Sequence, residues 1–224
     1  MIGFRIVKRV RKVDASIVAQ FREIPVANVS DSMYRMSAGG ARLRPMHKGG
    51  RMAGPAFTVK TRPGDNLMVH KALDLAEPGD VIVVDAGGDL TNALVGEIMS
   101  TYAKARGIAG FVIDGAIRDA DEIRANEFPV YAAGVTHRGP YKDGPGEINV
   151  SIAIDGMVIE PGDLILGDGD GILCVPFAAT ASVLAAANEK VKVEARELGA
   201  AAKAALDRAW VDARLRQLGC EMPD

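Results

Sequence analysis

Arg118 and Asp119 stand side by side after an apolar run, Gly110-Phe-Val-Ile-Asp-Gly115, that reads as a buried strand. Glu97 precedes Arg118 by twenty intervening residues and directly follows Gly96. A guanidinium offers rigid paired donors that match a carboxylate. An aspartate at a helix start can serve as a hard oxygen ligand for Mg²⁺. If a helix begins at Glu97, the amides of Glu97, Ile98 and Met99 are free to hold an anion. If it begins near Asn92, those amides are bonded internally. Together an acid, a forked cation and a metal-capable carboxylate suit an α-keto acid and its enolate. Each residue alone has a plainer role. Arg118 can pair with Asp121 or Glu122 on the surface, and Asp119 can cap a helix. The combination carries the functional reading.

Other constellations fall away. Asp85-Ala-Gly-Gly-Asp-Leu-Thr91 follows a strand but lacks the glycine order of a dinucleotide loop and the Lys-Ser/Thr of a P-loop. His70, His137 and the nine methionines form no ligand spacing. No G-x-S-x-G elbow is present. The segment Gly134–Glu147, with His137, Arg138, Pro140 and Lys142, reads as a loop long enough to be functional or a surface excursion.

The elements that must position these residues follow from periodicity. Ala56–Thr61, Val81–Asp85, Phe111–Ile113 and Pro129–Ala133 read as strands. Asn66–Leu75, residues 93–106 and Asp119–Asn126 read as helices between them, with Leu94, Ile98, Tyr102 and Ala105 on one side of the second. That alternation implies an α/β fold with a partly parallel sheet. Val150–Ile154 and Met157–Ile159 flank Asp155-Gly156 as a hairpin. Leu164–Leu166 and Ile172–Val175 add further antiparallel strands, so the sheet is mixed. Residues 1–50 read as a helical lead-in, where Ser30 or Asp31 caps a short helix and Gly39-Gly40 breaks it. Residues 51–176 form the α/β core. Residues 177–224 form an Ala-rich helical tail with a break at Gly199, the whole making one compact domain.

The chain has 224 residues, 48% hydrophobic and 25% charged, with a formal net charge of −2. Nothing in that balance draws it to nucleic acid or an anionic membrane. The N-terminal cations Arg5, Lys8, Arg9, Arg11 and Lys12 alternate with aliphatic residues, which reads as a packing arm rather than a targeting signal. No apolar stretch has transmembrane length. Cys174 and Cys220 form no disulfide or zinc pattern, consistent with a reducing, cytoplasmic setting.

The chain resembles the RraA-like family over most of residues 25–176. The resemblance rests on Pro63-Gly-Asp-Asn66, Pro78-Gly-Asp80, Gly96-Glu-Ile-Met99, Asp114-Gly-Ala-Ile-Arg-Asp119 and Gly167-Asp-Gly-Asp-Gly171. This family includes the divalent-metal-dependent 4-hydroxy-4-methyl-2-oxoglutarate and 4-carboxy-4-hydroxy-2-oxoadipate aldolases. The resemblance implies a β/β/α sandwich of the swivelling-domain kind and trimers or hexamers. It implies that Gly96, Glu97, Ile98 and Met99 receive the pyruvyl carboxylate, that Arg118 binds substrate and enolate, and that Asp119 ligates Mg²⁺ or Mn²⁺. Glu97, the acid–base candidate, stands where those aldolases carry Asp. In some members a C-terminal acid reaches a neighbouring subunit, for which Glu194 and Glu197 are candidates. The implied reaction is retro-aldol release of pyruvate from a 2-oxo acid, with oxaloacetate decarboxylation beside it. The alternative is a regulator that inhibits an RNA-degrading enzyme, a branch that tends to lose the acid found here at Asp119.

Overall fold

The computed structural model describes residues 1–37, 39 and 41–222. It opens with strand β1 (Phe4–Ile6), helices α1 (Ala15–Arg22) and α2 (Val26–Ser32) and strand β2 (Arg44–Pro45). The centre runs β3 (Met52–Thr61), α3 (Leu67–Leu75), β4 (Val81–Asp85), β5 (Ala93–Val95), α4 (Glu97–Ala105), β6 (Gly110–Ile117), α5 (Ala120–Ala125) and β7 (Val130–Val135). Then come β8 (Gly146–Ile148), β9 (Ile152–Ile154), β10 (Met157–Ile159), β11 (Leu164–Asp168) and β12 (Gly171–Val175). Helices α6 (Thr180–Ala201) and α7 (Ala209–Gln217) close the chain.

Strands β3, β4, β6 and β7 are parallel neighbours, joined by α3, α4 and α5. Side chains of a strand alternate between its faces, and here both faces are covered. Phe57, Val59, Ile82, Val84, Phe111 and Ile113 meet Val69, Leu73, Met99 and Ile123 of the helices. The alternate residues Ala56, Val81, Val83, Val112 and Tyr131 meet Ile152, Ile154, Met157 and Ile159 of the β9–β10 hairpin. This explains the uninterrupted apolar runs of β4 and β6. It also gives the β/β/α layering. Each large side chain buried on these faces contributes roughly 1.5–3 kcal/mol. The long strand β3 links the β layers: Met52–Pro55 pairs with antiparallel β11, and Ala56–Lys60 with parallel β4.

The chain forms two compact units, residues 1–187 and 188–224. In the first, α6 buries Thr180, Val183 and Ala187. The second holds the rest of α6 and α7, where Trp210 and, just past the helix end, Leu218 are exposed. No helix among the described residues is long and apolar enough to cross a membrane.

Several local expectations are corrected. Residues 1–50 are not a purely helical lead-in. Phe4–Ile6 adds a parallel strand to β8, and Arg5, Arg9 and Arg11 pair with Glu147, Asp80 and Asp163. The short helix is α2, capped at Pro25, with Ser30 and Asp31 inside it; of the expected breaker Gly39-Gly40, Gly40 lies outside the described residues. Residues 93–106 are not one helix, because Ala93–Val95 pairs beside β6. Gly199 lies within α6 rather than ending it, and the break falls at 202–208. A glycine lowers helix propensity by about 1 kcal/mol, too little to stop a helix this long.

Candidate active site

The site is built where two parallel strands end together. Val95 of β5 pairs with Ile117 of β6, and the Arg118 amide donates to the Val95 carbonyl at 3.0 Å. The next residues on each strand, Gly96-Glu97 and Arg118-Asp119, are therefore neighbours. The twenty-residue interval holds α4 after its first residue, the turn that follows it and all of β6.

α4 begins at Glu97: Gly96 is extended, and the Ser100 amide closes the first turn on the Gly96 carbonyl. This later of the two possible starts leaves first-turn amides without helical acceptors, with one exception. The Glu97 amide already donates to Asp119 Oδ2 at 2.9 Å. The amides of Ile98 and Met99 lack helical acceptors, as first-turn donors do, and both residues line a cleft of about 360 Å³.

Asp119 adopts the left-handed conformation, φ 55° and ψ 45°, at the N-cap of α5. Aspartate tolerates that region better than most residues. Its side chain makes no cap bond to α5 and reaches back to α4 instead. Arg118 Nε lies 3.7 Å from Asp119 Oδ2, whereas the surface partner Asp121 is taken by Arg124. A β-carbon on Gly96 would fall 2.4 Å from Asp119 Oδ2 and 3.0 Å from Arg118 Cγ. Glycine is thus required by close approach.

Arg118 and Asp119 line the cleft with Gly96, Ile98 and Met99, so the structure unites these predicted residues. The Glu97 carboxylate is exposed and outside that lining. Glu194 and Glu197 lie on α6 within residues 188–224, the other unit.

Residues that the sequence reading left without a role complete the cleft: Asn66 and His70 of the α3 region, and Gly139, Pro140 and Lys142 of the loop before β8. Asn66 and His70 are four apart, which places them on one helical face. Their spacing was a usable signal. Buried Asn66 donates to the Leu94 carbonyl at 2.8 Å, while its Oδ1 has no partner among the described residues. The His70 pKa is lowered by burial and then by the nearby Lys142 charge, against a smaller opposing pull from Asp74. Both larger influences favour the neutral imidazole.

Residues 26–174 match the RraA-like family model, described as Aldolase/RraA. A protein of Halalkalibacterium halodurans named "Putative 4-hydroxy-4-methyl-2-oxoglutarate aldolase" is 43% identical over 185 residues, covering 82% of this chain and 88% of its own. Among solved structures, an uncharacterized protein from Pseudomonas syringae superposes with TM-score 0.76 at 29% identity, covering 86% of this chain and 94% of that one. The RNA-processing inhibitor RraA of Thermus thermophilus gives TM-score 0.63 at 32% identity, covering 69% and 93%.

Proposed function

The chain belongs to the RraA-like family, and from that footing we propose that it is a lyase releasing pyruvate from 4-hydroxy-2-oxo acids. The observation that carries this reading is a guanidinium and a carboxylate fixed against the open N-terminus of α4.

In this reading the amides of Ile98 and Met99 hold the substrate carboxylate. Arg118 sets positive charge where the enolate oxygen forms, stabilising the transition state. Glu97, acting through water from the edge of the cleft, accepts the 4-hydroxyl proton. The C3–C4 bond then breaks, its electron pair passes into the pyruvate enolate, and C3 is reprotonated. Oxaloacetate loses CO₂ to the same enolate, so its decarboxylation is the expected side activity.

The residues fit a divalent cation. Asp119 Oδ2 is occupied by the Glu97 amide, and the side chain remains 37% exposed. No group of three or more His, Cys, Asp or Glu able to hold a metal occurs among the described residues. One carboxylate completed by water and substrate oxygens is a Mg²⁺ pattern. When bound, Mg²⁺ or Mn²⁺ supplies Lewis-acid polarisation of the 2-oxo group.

We also propose a homotrimer or homohexamer, with a second copy over the outer face of α4. Ile98 there is 80% exposed and Tyr102 49%, an apolar patch beside the cleft. Light scattering should give a multiple of the 23.6 kDa chain mass; a monomer at micromolar concentration would sink this part.

The decisive assay is pyruvate release from 4-hydroxy-4-methyl-2-oxoglutarate and from oxaloacetate, with Mg²⁺ and then with EDTA. Turnover that EDTA abolishes is expected; no metal-dependent turnover of either substrate overturns the proposal. The likeness to an RNA-processing inhibitor keeps a regulatory reading alive, though the retained Asp119 favours the enzyme. Capture of an RNA-degrading enzyme by a protein without lyase turnover would reverse that preference.

A further inference from the structure

Asp65 is fully buried in the Pro63-Gly-Asp-Asn66 turn between β3 and α3, and the reaction above makes no use of it. Its Oδ1 accepts the Leu67 amide at 3.0 Å, in the first turn of α3. Its Oδ2 accepts the amides of Asp143 and Gly144, both at 2.8 Å. Arg62 Nη2 completes the set at 3.0 Å. Around it the Tyr141 amide donates to the Gly64 carbonyl at 2.9 Å, and the Asn66 amide to the Tyr141 carbonyl at 3.0 Å. Lys142 therefore sits between two residues tied to this one turn.

The chain's other Pro-Gly-Asp turns bring out what is particular here. Asp80 and Asp163 also lie buried, but each binds the first amide of its own turn, from Glu77 and Glu160. Their distant partners are Arg9 for Asp80, and Arg11 and the Phe177 amide for Asp163, whereas Asp65 accepts two successive amides of one loop, 78 and 79 residues further on. A buried carboxylate is costly unless fully bonded. This one draws its compensation from the helix that carries His70 and the loop that carries Lys142, which are two walls of the cleft.

We propose that Asp65 is a positioning residue: its carboxylate holds the loop so that Lys142 faces the cleft beside His70. The activity consequence rests on the lyase reading; the structural consequence does not, so the two can fail separately.

The chain has three histidines, so His70 can be followed singly by NMR titration. Lys142→Ala should raise the His70 pKa, because it removes a neighbouring cation. Asp65→Asn should raise it as well, since the released loop carries Lys142 away, and the double variant should show no further rise. Loss of a carboxylate acting only through its charge would lower the imidazole pKa, opposite in sign. A folded Asp65→Asn protein with an unchanged or lowered His70 pKa overturns the proposal. Should that variant not fold, amide exchange in the unaltered protein decides: protection of the Asp143 and Gly144 amides supports it, and exchange at open-loop rates overturns it. In the pyruvate-release assay, Asp65→Asn should raise KM about tenfold with kcat within about twofold, the change expected if Lys142, held in the cleft, donates one charge-assisted hydrogen bond to the substrate. If the unaltered protein shows no turnover, the lyase reading fails and the titration still tests Asp65.

Discussion

A side chain at position 96 would collide with the two groups that define the cleft, 2.4 Å from Asp119 Oδ2 and 3.0 Å from Arg118 Cγ. The backbone of Gly96 is ordinary extended chain, φ −143°, so alanine would suffer from crowding and not from its own conformation. We expect Gly96→Ala to lower stability by about 1–3 kcal/mol, the usual range for overpacking, and to reduce Mg²⁺ affinity by displacing Asp119. Urea unfolding and metal titration measure the two effects. Near-normal values for both would mean that Asp119 is not held as described. Arg118 carries a sharper prediction. Arg118→Ala should cut kcat/KM for pyruvate release by about 10³-fold, the scale of a lost transition-state donor. Arg118→Lys keeps the charge but loses the fork and should recover only part of that activity; full recovery would show that charge alone suffices.

At the scale of elements, register decides the site. β5 is three residues long, yet pairing Val95 with Ile117 brings Gly96 to Arg118 and lets α4 start at Glu97. The sequence carried the interval between Glu97 and Arg118 but not the reason for it. Helical spacing across 93–106 absorbed the strand into the helix and left open which side of it is buried. Met99 and Ala103 are buried, while Ile98 and Tyr102 are exposed. A single chain's pattern does not distinguish an apolar stripe facing its own core from one facing outward, because period reports amphipathicity and not the partner. The N-terminal arm shows the same limit. Its alternating cations were legible as a packing arm, but their acidic partners lie scattered along the chain. Arg9 makes paired bonds to Asp80 at 2.8 and 2.9 Å, with both side chains largely buried. Arg9→Met should destabilise the protein by about 3 kcal/mol, since it strands a buried carboxylate. An unchanged urea midpoint would show that the arm is dispensable to the fold.

For the whole molecule, pH is the probe that reaches the core. His47 is buried against Tyr131, and Nε2 has no partner among the described residues. Burial lowers its pKa, opposed by its bond to the Val130 carbonyl. The unfolded chain therefore binds a proton more readily than the folded one just below the ordinary histidine pKa of about 6.5. Stability from a neutral His47 is fully present above that value and is lost as pH falls toward the lowered folded pKa. Urea unfolding between pH 7.5 and 5, on the order of one titration range either side of that value, should show this decline. His47→Gln should flatten it, and an equal slope in both proteins would assign the decline to other groups.

By itself, the sequence determined the α/β alternation, the buried strands, the β9–β10 hairpin and the adjacency of Arg118 and Asp119 at a strand end. These are local or periodic properties, written in residues that are neighbours in the chain. Only the tertiary structure decided where α4 begins, that Asp119 binds the Glu97 amide, and that Glu97's own carboxylate stands outside the cleft. It alone brought Asn66, His70 and Lys142 to Arg118, and it alone revealed Asp65 beneath the Lys142 loop. Those facts depend on strand register and on loops returning from distant positions. Such contacts follow from the packing of the whole sheet, which no local pattern of residue types encodes.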